Sequence, residues 1–75
     1  MILIAAQSYA HASDYAKKNE LSLQKWRFLI DSGLLVSGVT EVIIMRCAHR
    51  HRNYKDIIVE AELRQRRGEL KVTYI

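Results

Sequence analysis

The residue types best suited to chemistry lie together in one short segment. Cys47, His49 and His51 stand at alternate positions, interleaved with basic residues. Thiolate and imidazole are common zinc ligands, but a structural zinc site usually takes four ligands and the sequence has no second such cluster. A cysteine among arginines is also one setting for a reactive thiolate, yet no oriented histidine–carboxylate set accompanies Cys47. We therefore expect no metal and no catalytic residue, and interpret the segment as a basic surface loop.

A second candidate for chemistry is the short segment Ala6-Gln7-Ser8, which follows an apolar run and precedes a helical pattern. Open α/β sheets often bind ligands at such a strand end, and the free amides of a helix start suit a phosphate. The segment has no glycine, however, and the chain contains neither GxGxxG nor GK[ST]. We expect a plain capped helix start here and no nucleotide cofactor.

Basic residues give the chain a formal net charge of +4. The excess lies in the second half, because acidic and basic residues balance over positions 1–45. Two clusters are candidate contacts for an anion or a nucleic acid: Arg46, Arg50, Arg52 and Lys55 at one end of a predicted helix, and Arg64, Arg66 and Arg67 at the other. Phosphates attract such clusters, and Tyr54 or the histidines offer rings for base stacking. The alternative is ordinary solvated charge, since Glu60 and Glu62 interrupt the helix surface and roughly 15–20 Å of helical rise separates the clusters.

Apolar runs and turn residues predict the elements that must position these side chains. The run Ile2–Ala6 is apolar throughout and predicts a central buried strand. Ser8 is the expected cap of a first helix and Asn19 its expected left-handed stop. Asn53 is the expected cap of a second helix and Gly68 its expected stop. The remaining predicted elements are strands over 26–30, 42–45 and 70–75, helices starting at Tyr9 and over 54–67, an apolar crossing segment over 34–36 and a turn at 37–38.

The element order β-α-β-β-α-β predicts an α/β fold: a minimal Rossmann-like domain with a four-stranded, mostly parallel sheet. The right-handed crossover rule supports strand order 2-1-3-4, with the first strand inside and the last at an edge. Seventy-five residues suffice for one domain, here residues 1–75, with one small core. Cys47 is the single cysteine, no signal peptide is visible and no apolar run is long enough to span a membrane. We therefore expect a cytoplasmic protein.

The predicted second helix carries apolar residues on more than one face. Tyr54, Ile57, Ile58 and Ala61 form a stripe that should pack on the sheet, whereas Val59 and Leu63 fall on nearly the opposite side. One interpretation is that a neighbouring loop covers part of this second face. The other is a contact surface, most simply a homodimer interface through Val59 and Leu63.

Several segments together resemble small proteins of unknown function encoded by actinobacterial phages. The likeness covers most of the chain and is carried by ILIAA, an Ala- and Tyr-bearing helix, Lys-Asn-Glu-Leu, Lys-Trp-Arg-Phe-Leu-Ile, the segment 34–38, a further strand and a basic helix. Such proteins usually end the first helix with glycine, where Asn19 stands here. The resemblance implies a non-catalytic viral accessory protein in the host cytoplasm, which acts by binding a host macromolecule or itself; the alternative is a nucleic-acid-binding module. Segment 28–45 also resembles a stretch of the second RecA-like domain of helicases, but the arginines and phosphate loop of those enzymes have no counterpart, so no ATPase activity is implied.

Overall fold

A computed structural model describes residues 1–35 and 38–75. Its strands and helices alternate along the chain: β1 Ile2–Ala5, α1 Tyr9–Lys18, β2 Trp26–Phe28, a 3₁₀ helix Ser32–Leu34, β3 Glu41–Ile44, a 3₁₀ helix Arg46–Arg50, α2 Tyr54–Arg66 and β4 Lys71–Tyr74. The predicted crossing segment and turn over 34–38 include Val36 and Ser37, which lie outside the described residues.

The four strands form one sheet in the order β2-β1-β3-β4, which confirms the predicted order. Every neighbouring pair is parallel, so the sheet is all-parallel and not merely mostly so. Ile4 lies in the centre, opposite Phe28 of β2 on one side and Ile43 of β3 on the other. The apolar run at the start of the chain is therefore the inner strand, as its lack of polar residues predicted.

Alternating side chains of the sheet form two separate cores, one on each face. One face packs Leu3, Val42 and Ile44 against Ile57 and Ala61 of α2. The other packs Ile4 and Ile43 against Ala12 and Ala16 of α1. One helix therefore covers each face, and the stripe predicted for the second helix is the side that meets the sheet.

The predicted ends of the helices are largely right, but two predicted caps and one stop are wrong in detail. Ser8 does occupy the cap position of α1, yet its hydroxyl lies 2.7 Å from Nδ1 of His11 and caps no amide. Asn53 caps no amide either, and its Nδ2 donates to the carbonyl of Ile30, 3.0 Å away. Asn19 keeps a φ of −103°, and Glu20 takes the left-handed conformation with φ +57°.

Gly68 ends α2 in the left-handed conformation, with φ +77°, as the sequence predicted. Two strands are shorter than predicted, since β2 ends at Phe28 and β4 covers only 71–74. β3 has the predicted length but is shifted by one residue, to Glu41–Ile44. The predicted basic loop over 46–52 is largely a 3₁₀ helix, anchored by the buried Ala48.

Candidate functional site

The candidate site lies at the carboxyl edge of the sheet, the edge at which all four parallel strands end. The segment 46–53 leaves β3 there and crosses toward β2. Its path is fixed by three contacts: Cys47 with Gln7 beyond β1, His51 with Phe28 at the end of β2, and Asn53 with Ile30 beyond β2. Because α2 begins directly after this crossing, the basic residues of the segment and the first turn of α2 lie together at the carboxyl edge.

The crossing segment also contacts the start of α1, where an open α/β sheet could bind a nucleotide phosphate. The strand order reverses between β1 and β3, and ligands of open α/β sheets usually bind beside such a reversal. Here the amide of Gln7 donates to Sγ of Cys47 at 3.4 Å. That amide therefore already has a partner from its own chain.

Four exposed cations extend along the crossing segment and the first turn of α2: Arg46, Arg50, Arg52 and Lys55. Two of these cations, Arg52 and Lys55, line a surface cavity of about 480 Å³ together with His49, His51, Tyr54 and Asp56. Asp56 is the only acidic residue from position 46 to position 56. The described part of the chain has three ion pairs, and all of them involve Arg64 or Arg67 at the far end of α2. The carboxyl edge therefore presents concentrated positive charge.

The second predicted cluster, at the end of α2, is largely neutralised by neighbouring carboxylates. Arg64 donates to Glu60 at 2.9 Å and to Glu69 at 3.3 Å, and Arg67 lies 3.7 Å from the other oxygen of Glu69. Arg66 is exposed beside them. Since α2 runs away from the carboxyl edge for 13 residues, the structure does not bring the two clusters together.

The two histidines of the crossing segment are held by local hydrogen bonds. Nδ1 of His49 lies 2.7 Å from the carbonyl of Arg46, which can only accept, so this nitrogen carries the proton. Nδ1 of His51 accepts the amide hydrogen of Asn53 at 3.1 Å, which places the proton of the neutral ring on Nε2. No group of three metal-binding side chains occurs within residues 1–35 and 38–75.

An aromatic row adjoins the basic cavity and was missed in the sequence. Tyr9 stacks on Trp26 with ring centroids 5.7 Å apart, and it meets Phe28 edge-on at 6.1 Å. Phe28 in turn meets His51 edge-on at 5.9 Å. Although Tyr9 is the first residue of α1, 54% of it is exposed. The signal available in the sequence was the position of these aromatic residues. Trp26 and Phe28 lie two apart in the predicted second strand, and Tyr9 begins the predicted first helix.

The outer face of α2 is a separate surface. Val59 is 68% exposed and Leu63 is 37% exposed. Together with Glu62 and Arg66 they line a shallow cavity of about 260 Å³. The sheet covers neither side chain, as expected for residues opposite the packed stripe.

Comparison with known proteins gives no relative from which a function could be carried over. No family model matches the chain, and neither a curated protein nor a solved structure matches it. Among the described residues, every helix is too short or too polar to pass through a lipid bilayer.

Proposed function

We propose that the chain is a non-catalytic binding protein whose carboxyl edge binds nucleic acid. The observation that carries the proposal is the set of four exposed cations, Arg46, Arg50, Arg52 and Lys55, along the crossing segment and the first turn of α2. Two of them, Arg52 and Lys55, line a cavity of about 480 Å³. Phosphate backbones are recognised by such convergent positive charge. The arginines at the end of α2 contribute less, because Arg64 is already held by two carboxylates.

Salt dependence provides the test, because each phosphate contact releases counterions. Four contacts predict a slope of log affinity against log salt of about −2.8 for a single strand and −3.6 for a duplex. Raising salt from about 50 to 200 mM should therefore weaken single-strand binding roughly 50-fold. Fluorescence anisotropy with labelled oligonucleotides measures both affinity and slope.

Two double variants with equal charge change locate the contact. Arg50→Gln with Arg52→Gln should halve the slope for a single strand to about −1.4. Arg66→Gln with Arg67→Gln removes the same charge from the far end of α2 and should leave the slope nearly unchanged. Absence of binding at low salt, or a loss confined to the second variant, would show that the carboxyl edge is not a nucleic-acid surface.

Self-association through the outer face of α2 is a second candidate function, supported by the exposure of Val59 and Leu63. Burying such side chains contributes roughly 1.5–3 kcal/mol each when complete, and a symmetric dimer would pair the same helix from two copies. Glu62 and Arg66 flank the apolar pair with opposite charges, which would set the register of two copies more than their affinity.

Sedimentation at high micromolar concentration tests the dimer. We expect wild type to sediment as a dimer and Val59→Asp with Leu63→Asp as a folded monomer. A monomeric wild type would contradict the interface. A dimer that persists in the double variant would place the interface elsewhere.

We also propose a biological role for this binding protein, that of a viral accessory protein. A minimal Rossmann-like domain without a glycine-rich phosphate loop suits a binding role better than a catalytic one. The resemblance to actinobacterial phage proteins and the single free Cys47 support a viral accessory protein in the cytoplasm of the host cell. A host protein is the other partner to consider if the oligonucleotides do not bind.

A further inference from the structure

We infer that the nucleic acid bound at the carboxyl edge is single-stranded, and that one of its bases stacks on Tyr9. This inference rests on the proposed function and names the form of its ligand. Two neighbouring features carry it: an exposed aromatic groove beside Tyr9, and a basic cavity that the Phe28–His51 contact joins to that groove.

The groove has the composition of a stacking site. Its volume is about 230 Å³, and it is lined by Tyr9, Leu23, Trp26, Arg27 and Phe28. Tyr9 rests against Trp26 with 24° between the ring planes, while 54% of Tyr9 stays exposed. Trp26 itself is only 3% exposed, so it supports Tyr9 from beneath. A ring held in this way is a preformed platform for a flat partner.

Positive charge next to the groove favours a planar ligand that also carries negative charge. Arg27 is exposed at the groove itself. On the other side, Phe28 belongs to the groove and His51 to the basic cavity, and their ring centroids are 5.9 Å apart. A ligand that lies across both must combine an apolar flat face with neighbouring negative charge. Nucleotides in a chain have this alternation of base and phosphate.

The platform also distinguishes a single strand from a duplex. In a duplex both faces of each internal base are covered by neighbouring base pairs, so Tyr9 could reach a base face only at an end or after unstacking. An unpaired strand can turn a base outward at little cost. Stacking on Tyr9 therefore adds affinity for single strands alone, whereas Arg50, Arg52 and Lys55 attract phosphates of either form.

The test compares an oligothymidylate of about 12 nucleotides with a duplex of equal length at low salt. Tyr9→Leu should weaken single-strand binding roughly 5- to 150-fold, the range for loss of one stacked base, and leave duplex binding unchanged. Tyr9→Phe should retain the wild-type affinity, because the ring and not the hydroxyl makes the stack. Tyr74→Leu is the matched control, since Tyr74 is 55% exposed on the opposite edge strand.

Fluorescence of Trp26, the only tryptophan in the sequence, gives an independent measurement of binding, because Tyr9 stacks on its ring. Single strands should change its emission in wild type, and the change should disappear in Tyr9→Leu, whose fold is checked by circular dichroism. If single strand and duplex bind with equal affinity and Tyr9→Leu changes neither affinity, the stacking inference is overturned. The proposal that the carboxyl edge binds nucleic acid is then retained. If neither oligonucleotide binds, the proposed function fails, and the inference fails with it.

Discussion

Replacing Ile4 by alanine should destabilise the whole domain, because this side chain sits at the centre of the inner strand. Ile4 is 0% exposed and packs in the core beneath α1. The change deletes three carbon atoms, worth about 2.4 kcal/mol of transfer free energy at ~0.8 kcal/mol per methylene. The cavity left behind adds to this, so we expect a total loss of roughly 3–4 kcal/mol, inside the usual range of ~2–5 kcal/mol.

A loss of this size is large for so small a domain. Total stability of about 0.05–0.15 kcal/mol per residue corresponds to roughly 4–11 kcal/mol for this chain. Each kilocalorie shifts Tm by about 4–8 °C in domains of this length, so Ile4→Ala should lower Tm by roughly 15–30 °C. Thermal melts by circular dichroism, with urea unfolding followed through Trp26, measure both quantities.

Two variants bracket the expectation for Ile4. Ile4→Val removes one carbon and should cost about 0.5–1.5 kcal/mol. Ile75→Ala makes the same chemical change as Ile4→Ala at a site 42% exposed, and should cost well under half as much. An Ile4→Ala protein that melts with wild type, or no earlier than Ile75→Ala, would refute the placement of this residue at the centre of the core.

Gln65→Ala should expose the outer edge of β4, because Oε1 of Gln65 accepts the amide hydrogen of Val72 at 2.6 Å. We expect a loss of about 0.5–1.5 kcal/mol in urea unfolding and more self-association by light scattering, since an uncovered edge strand can pair with another chain; unchanged values in both would contradict a protective role for Gln65. The hydrogen bond from the Tyr74 hydroxyl to Glu62, with burial second, raises the pKa of Tyr74 to about 12. Because the folded-state pKa lies above the unfolded value, this contact stabilises the fold fully below about pH 10 and is lost as pH rises through about 12. Glu62→Ala removes this acceptor and should lower the pKa of Tyr74 toward 10 in an NMR titration of its ring, and an unmoved pKa would exclude Glu62 as the cause.

Local pattern was enough to predict the sheet. The apolar run at positions 2–6 had no polar residue to face solvent, so it had to lie inside the sheet. With that strand inside, the right-handed crossover rule supported the order 2-1-3-4, which the structure confirms. The end of α2 at Gly68 was also predictable, because glycine adopts a positive φ without steric cost.

Side-chain partners that come from distant parts of the chain were not predictable. Asn53 is a residue type that often caps helices. The carbonyl of Ile30, to which its side chain donates, comes within reach only after the crossing segment has folded over β2. Even a local choice can differ from the expected one, since the hydroxyl of Ser8 pairs with the ring of His11, three residues away, and not with an amide. A short polar side chain takes whichever partner the fold brings closest, and sequence spacing does not reveal that partner.

By itself, the sequence determined the two α-helices, the four strands and their order in the sheet, the absence of a glycine-rich phosphate loop and the identity of the basic residues, because each of these depends on short-range pattern. Tertiary structure alone decided which charges are available: it paired Arg64 with Glu60 and Glu69, and left Arg50 and Arg52 exposed at the carboxyl edge. It also brought Tyr9, Trp26, Phe28 and His51 into one row. Those four residues come from three separate segments, and only the packing of α1 and the crossing segment against the end of β2 makes them neighbours.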